Sequence, residues 1–259
     1  MVDLPNGRLK ASDLMVDFLS VAPDTSVNDT LKLIFKNNAQ KALVLDDGIL
    51  DGIVTTYDFM RNIQWGKDDI ESMSISDIMT PIVYTVFCED NIRHVIDMLY
   101  HRGVRSVPVL TDGMVAGTVS RKQIAQLFAD KYAANYKAKD LMTKRYTTCN
   151  VHATLHDLFA KIDAYGDKYI IIQAEDKVAG IVTSTDILKY LYRQPEKNSS
   201  SPVKEIMNKC KYTAKKTDKC ADIAHIMLEH NVSGVPIVGK RLHGLIRFSC
   251  FLQFLDLEL

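Results

Sequence analysis

Two short phrases recur four times along this 259-residue chain, and their spacing constrains the fold more than any other feature. The opening phrase reads Asp13-Leu14-Met15, Asp77-Ile78-Met79, Asp140-Leu141-Met142 and Glu205-Ile206-Met207, with Met-to-Met steps of 64, 63 and 65 residues. The closing phrase reads GIVTTYD from Gly52, GTVSRKQ from Gly117, GIVTSTD from Gly180 and GLIRFSC from Gly244. Each glycine follows its methionine by 37 or 38 residues. Self-similarity at a fixed period marks a repeat architecture, in which each unit buries its apolar face on a neighbour.

The residues between the phrases predict the elements. Val27, Leu31 and Ile34 stand at i, i+4, i+7, as do Ile92, Ile96 and Leu99; Leu155, Phe159 and Ile162; and Cys220, Ala224 and Met227. That spacing gives a helix with one buried stripe in each repeat. Thr25, Asp90 and Asp218 stand two residues before three of the stripes and are the expected N-caps. Asn38, Gly103, Gly166 and Asn231 should end the helices, because they tolerate a left-handed C-terminal turn. Short β-rich runs follow: ALVL from Ala42, VPVL from Val107, YIII from Tyr169 and VPIV from Val235. A turn leads into the glycine-started strand, and Phe59 to Ile63 or Ile187 to Tyr192 read as a second helix.

Each repeat is therefore strand, helix, strand, strand, helix, an α+β unit. The repeats divide the chain at about 1–70, 71–134, 135–198 and 199–259. Expected linkers are Gln64 to Ile75, which holds the single Trp65, Ala129 to Lys137, and Arg193 to Val203 with Pro195, Ser199, Ser200, Ser201 and Pro202. In its linker Trp65 either packs or meets a partner module. A lone domain of about 60 residues buries only about 60% of its unfolded surface. Repeats should therefore pair, 1 with 2 and 3 with 4.

Composition removes several classes of function. Lys and Arg number 32 against 32 Asp and Glu, so no global basic field exists for nucleic acid or anionic lipid. No apolar run approaches the ~20 residues that span a bilayer, and MVDLPNGRLK lacks an apolar signal core. Cys88, Cys149, Cys210, Cys220 and Cys250 are odd in number and form no C-x-x-C, which suits reduced thiols in the cytoplasm. No GxxxxGK[ST] occurs, nor a GxGxxG after a strand.

The D-h-M opening, the h-P-h strand and the closing G-h-h-[ST]-x-x-D together resemble CBS domains, which pair into Bateman modules. The resemblance covers about Asp13 to Phe254, so an appended catalytic domain is not expected. A chain of four such repeats is similar to the gamma subunit of the AMP-activated protein kinase and to stand-alone archaeal proteins of the same build. The resemblance implies two modules arranged as a pseudo-fourfold disc, with AMP, ADP or ATP bound in clefts between paired repeats. It implies a non-enzymatic, energy-sensing role, exerted on an unknown protein partner or within a homodimer of discs.

A nucleotide asks a cleft for a carboxylate on the ribose hydroxyls, for hydroxyls, amides and cations on the phosphates, and for apolar groups on the base. The closing phrase supplies Thr55 and Asp58 in repeat 1 and Thr183 and Asp186 in repeat 3. Ser120 and Gln123, and Arg247 and Cys250, take those places in repeats 2 and 4, so each pair should hold one good site and one poor one. By similarity to the kinase subunit, the base contacts come from the partner repeat's first strand, at Ile82 and Val83 after Pro81. Lys122 and Arg105 would take the phosphates. In the second module the base positions are Cys210 and Lys211, with Ser233 and Ser249 in place of Arg105 and Lys122, and with Arg247 and Lys168 as nearby cations. That site should be weaker, or prefer fewer phosphates.

Plainer roles stand beside these. Asp58 and Asp186 can cap the helices they precede, for about 1 kcal/mol each, without losing a ribose role. Surface cations such as Lys122 and Arg105 are usually only solvated, and residues such as Ile82 and Val83 are usually core. His152 and His156 stand at i, i+4 but lack a third metal ligand. Lys204, Lys209, Lys211, Lys215, Lys216 and Lys219 read as a solvated face. Rival functions are a sensor of S-adenosyl methionine or its thioether products, a ligand-free scaffold, and a nucleotide hydrolase whose base or metal set is nowhere apparent.

Overall fold

The computed structural model describes residues 9–64, 73–131, 136–194 and 196–258. Trp65 and Pro195 lie outside them. Repeat 1 runs β1 (Ser20–Val21), α1 (Val27–Lys36), β2 (Lys41–Asp46), β3 (Ile49–Thr55) and α2 (Thr56–Gln64). Repeat 2 runs β4 (Val86–Phe87), α3 (Ile92–His101), β5 (Ser106–Thr111), β6 (Met114–Ser120) and α4 (Arg121–Lys131). Repeat 3 adds a short α5 (Ala138–Leu141) before β7 (Thr147–Asn150), α6 (Leu155–Tyr165), β8 (Tyr169–Ala174), β9 (Lys177–Thr183) and α7 (Ser184–Arg193). Repeat 4 has α8 (Val203–Ile206), β10 (Asn208–Lys209), α9 (Cys220–Glu229), β11 (Gly234–Val238), β12 (Leu242–Arg247) and α10 (Phe248–Glu258).

All twelve stripe residues of α1, α3, α6 and α9 are buried. The helices start one residue later than expected. Ser26 and Asn91 cap α1 and α3, accepting from the N–H of Asp29 and His94 at 3.0 Å each, and Lys219 precedes α9 without a side-chain cap. The stripe begins at the first helical residue, so the cap stands immediately before it. Asp90 and Asp218 instead turn back and accept from the N–H of Phe87 and Lys215, each at 2.7 Å, closing the turn that leads in. Asn38, Gly103, Gly166 and Asn231 do have positive φ, as the helix ends require.

In repeats 1 to 3 the first strand pairs in parallel with the second, and the second is antiparallel to the third. Repeat 4 departs from this order: its first strand shrinks to one parallel bridge, Ala214 to Ile237, while β10 joins the edge of β9 in repeat 3. In every repeat a bulge falls where the closing-phrase glycine faces the second strand.

The opening phrases are exchanged between partners. The first helical N–H of α1 bonds to Met73 O, that of α3 to Leu9 O, that of α6 to Ser201 O and that of α9 to Tyr136 O. The first orphan donor of each of these helices is thus met by the other repeat of its pair. The phrase's methionine then lies on the partner's closing glycine. A Cβ on Gly52 would stand 2.5 Å from Met79 Sδ, on Gly117 3.0 Å from Met15 Cγ, on Gly180 2.9 Å from Met207 Sδ, and on Gly244 2.9 Å from Met142 Sδ. Backbone bridges beside them, Ile53 with Thr80, Val16 with Thr118 and Thr143 with Leu245, fix the register. The two phrases therefore recur together because they touch, and they touch within the pairs 1–2 and 3–4.

The chain divides into two compact units at Gln123 and Ile124. The division falls inside α4 because Phe128 stacks on Phe251 at 4.7 Å and meets Phe254 edge-on at 5.4 Å. Unit 1 contains repeats 1 and 2 up to that point; unit 2 contains the rest of α4 with repeats 3 and 4.

Candidate functional site

Each closing phrase ends a strand and starts a helix, and its seventh residue reaches back to its fourth. In unit 1 Asp58 Oδ2 accepts from Thr55 N at 2.8 Å and from Thr55 Oγ1 at 2.7 Å. In repeat 2, Gln123 Oε1 accepts from Ser120 N at 3.0 Å and from Ser120 Oγ at 2.5 Å. In unit 2 Asp186 Oδ2 accepts from Thr183 N at 2.8 Å and from Thr183 Oγ1 at 2.5 Å. In repeat 4 only a long contact from Arg247 N to Cys250 Sγ, 3.4 Å, remains. Asp58 and Asp186 do not precede their helices but stand at the third helical position, where each accepts from the residue ahead of the helix, and this uses one oxygen of each carboxylate.

The other oxygens differ. Asp186 Oδ1 accepts from Asn208 Nδ2 at 2.7 Å. Among the described residues nothing hydrogen-bonds Asp58 Oδ1, and the register position of Asn208 is held by Thr80, which is exposed. Asn208 was not legible as a site residue, since it reads only as the polar residue after an opening phrase.

A second difference stands across the strand pair. Lys41 faces Thr55, Ser106 faces Ser120, Tyr169 faces Thr183 and Gly234 faces Arg247. Directly opposed residues of an antiparallel pair share a face. In unit 2 Tyr169 is buried and its hydroxyl donates to Gly234 O in the partner repeat at 2.7 Å. Burial pushes its phenol well up, with smaller electrostatic effects from Cys210, Arg247 and Asp186. A Cβ on Gly234 would stand 3.2 Å from Tyr169 Cζ, so the glycine makes room for the ring. In unit 1 the same position carries Lys41, whose Nζ is buried without a hydrogen-bond partner among the described residues. Desolvation alone lowers its pKa to about 8.

The remaining expected residues are placed as follows. Ile82 and Val83 follow the bridge of Thr80 to Ile53 in an irregular segment ahead of β4, not on the first strand. They are not core: Ile82 is 82% exposed and Val83 half-buried. Cys210 and Lys211 likewise follow β10 outside any strand; Cys210 Sγ donates to Tyr212 O at 3.3 Å and Lys211 is exposed. Both pairs leave the strand because the opening phrase has just finished its bridge to the partner's third strand. Arg105 is exposed and Lys122 half-buried. Arg247 is held by Asp167, 2.7 Å from Nη1 to Oδ1, and by Arg145 O at 3.0 Å, while its Nε is buried without a partner among the described residues. Lys168 is half-buried beside that ion pair in sequence.

Elsewhere the chemistry is sparse. His152 and His156 are exposed, and no group of three or more metal-binding side chains occurs among the described residues. The six lysines of repeat 4 are exposed. A concavity of about 400 Å³ lined by Cys149, Asp157, Lys161 and Glu175 lies within repeat 3, apart from the closing phrases. Burial raises the Cys220 thiol to about 12, so it stays protonated. No helix among the described residues is long and apolar enough to cross a membrane.

Comparison with known proteins agrees with this fold. Protein MJ1404 of Methanocaldococcus jannaschii is 26% identical over 250 residues; the match covers 89% of this chain and 58% of that protein, so the chain spans little more than half of it. Protein MJ1225 of the same organism is 22% identical, over 91% of this chain and 94% of that protein. The crystal structure of MJ1225, described as a proposed archaeal homolog of g-AMPK, superimposes with a TM-score of 0.88 and 19% identity, over 95% of this chain and all of that one. A conserved protein from Pyrococcus horikoshii shares the fold with a TM-score of 0.67 at 18% identity, again over 95% of this chain and all of that one. The CBS domain family matches residues 11–64, 75–130, 138–193 and 203–256, one copy for each repeat derived above, and the chain belongs to that family.

Proposed function

We propose that this protein binds an adenine nucleotide in unit 1 and acts as a regulator, not as an enzyme. The observation that carries the reading is the contrast between two identical Thr-x-x-Asp boxes. Asp58 keeps Oδ1 without a partner among the described residues, whereas Asn208 fills that position on Asp186. A carboxylate whose second oxygen is unclaimed can accept from a ribose diol while its first oxygen still holds Thr55. Ile82 and Val83 offer the apolar surface for the base, and Arg105 and Lys122 the cations for AMP, ADP or ATP. The resemblance to the kinase gamma subunit supports the same ligand class. A ligand that prefers one arrangement of the paired repeats shifts that equilibrium and, through it, the activity of a bound partner or second copy. The five thiols, free among the described residues, suit work in the cytoplasm.

The corresponding set in unit 2, Thr183, Asp186, Cys210, Lys211, Arg247 and Lys168, makes at most a weaker site. Tyr169, Asn208 and Asp167 already engage its centre. That observation favours a scaffold role for unit 2 alone. Melting curves with AMP, ADP, ATP, adenosine and S-adenosyl methionine test the reading. A ligand at 100 times its Kd stabilises by about 2.7 kcal/mol. At least one phosphorylated compound should raise the melting temperature; no shift with any of the five at millimolar concentration would leave a scaffold.

A further inference from the structure

We propose that the Nζ of Lys41 receives the anionic group of the ligand in unit 1, so that this unit selects phosphorylated over uncharged or cationic adenosine compounds. The inference deepens the nucleotide reading and rests on it for the adenosine part alone. Lys41 opens β2 directly opposite Thr55, so the two side chains share a face of the sheet. Thr55 in turn holds Asp58. The ammonium and the carboxylate therefore flank one strand end, one suited to an anion and the other to a diol.

The register of unit 2 gives the direction of this face. Tyr169 occupies the position of Lys41 there and reaches across to the backbone of the partner repeat. By analogy of register with Tyr169 we infer that Lys41 faces the seam of repeats 1 and 2, where the small buried Ser106 takes the place of Gly234.

Burial and partnering point the same way. A buried ammonium without a hydrogen bond is costly, and buried charges are retained where something pairs them. Among the described residues Lys41 Nζ has no such partner, and desolvation lowers its pKa. An anion at the seam supplies the missing partner. It also holds the proton on Lys41, so affinity for that anion should fall as pH rises above about 8.

Calorimetry with AMP, adenosine and inorganic pyrophosphate on the full chain and on Lys41→Met tests this. The native chain should bind AMP at least tenfold more tightly than adenosine. Lys41→Met should weaken AMP at least tenfold, leave adenosine within twofold, and abolish the loss of AMP affinity between pH 7 and 9.5. Lys41→Gln serves as a second neutral variant and should behave alike. AMP affinity unchanged in both variants, or AMP and adenosine weakened equally, would overturn the assignment. Binding of pyrophosphate but of neither adenosine compound, lost in Lys41→Met, would keep the anion site and remove the nucleotide. Failure of the native chain to bind either AMP or pyrophosphate would remove both.

Discussion

Units 1 and 2 are built alike and carry the same Thr-x-x-Asp box, yet the side chains around the two boxes are arranged for different ends. In unit 2 the corresponding groups are mostly engaged: Asp186 with Asn208, Tyr169 with Gly234 O, and Arg247 through its Nη atoms with Asp167 and Arg145 O, while only its Nε is left without a partner among the described residues. In unit 1 the matching positions hold Asp58 with one oxygen unclaimed among the described residues and Lys41 with a buried, unpartnered amine. A motif shared by two halves of a molecule therefore does not give them one set of partners. On the proposed reading, the residues paired across the strand and across the seam decide whether a box binds a ligand or only caps a helix.

Breaking each box in turn should produce the largest contrast. Asp58→Ala removes charge-assisted hydrogen bonds of about 1.5–3 kcal/mol each from the diol. AMP affinity should fall about 100-fold in calorimetry, while Asp186→Ala leaves it within twofold. Equal losses would mean that both boxes bind ligand.

Smaller, opposite changes in stability are expected at the paired position itself. Tyr169→Phe strands a buried carbonyl and should destabilise the free protein by about 1–3 kcal/mol. Lys41→Met removes an unpaired buried charge and should raise the melting temperature at pH 7. A fall in melting temperature for Lys41→Met would show that the amine is already satisfied without ligand.

The sharpest test of that amine uses the smallest effect. The Lys41 pKa lies near 8 in the folded state, below the ordinary value of 10.5, because burial disfavours its charge. Between those values the unfolded chain binds more protons, so ligand-free stability contributed by this group rises with pH, by about 1 kcal/mol between pH 8 and 9, and the penalty is complete below 8. Denaturation at those two pH values should show the rise in the native chain, and a smaller one in Lys41→Met by that amount.

Much of this was legible in the sequence because it depends on local pattern. The i, i+4, i+7 stripes placed four buried helices, and the residues with positive φ ended them. The fixed step from methionine to glycine reflected a contact between partner repeats. What escaped notice depends on tertiary pairing. Lys41 and Tyr169 each merely start a β-rich run; only aligning Lys41, Ser106, Tyr169 and Gly234 as one column shows a charge in one unit and a ring with its glycine in the other. Asn208 becomes significant only once β10 leaves its own repeat to pair with β9. Ile82 reads as core from its side chain, and the bridge before it leaves it in solvent instead.

The central claim, that one of two similar units is the ligand site, is tested most directly by stoichiometry. Native mass spectrometry of the chain with AMP at ten times its Kd should show one nucleotide per chain, absent in Asp58→Ala and retained in Asp186→Ala. Two nucleotides per chain, or a single one lost with Asp186→Ala, would contradict it.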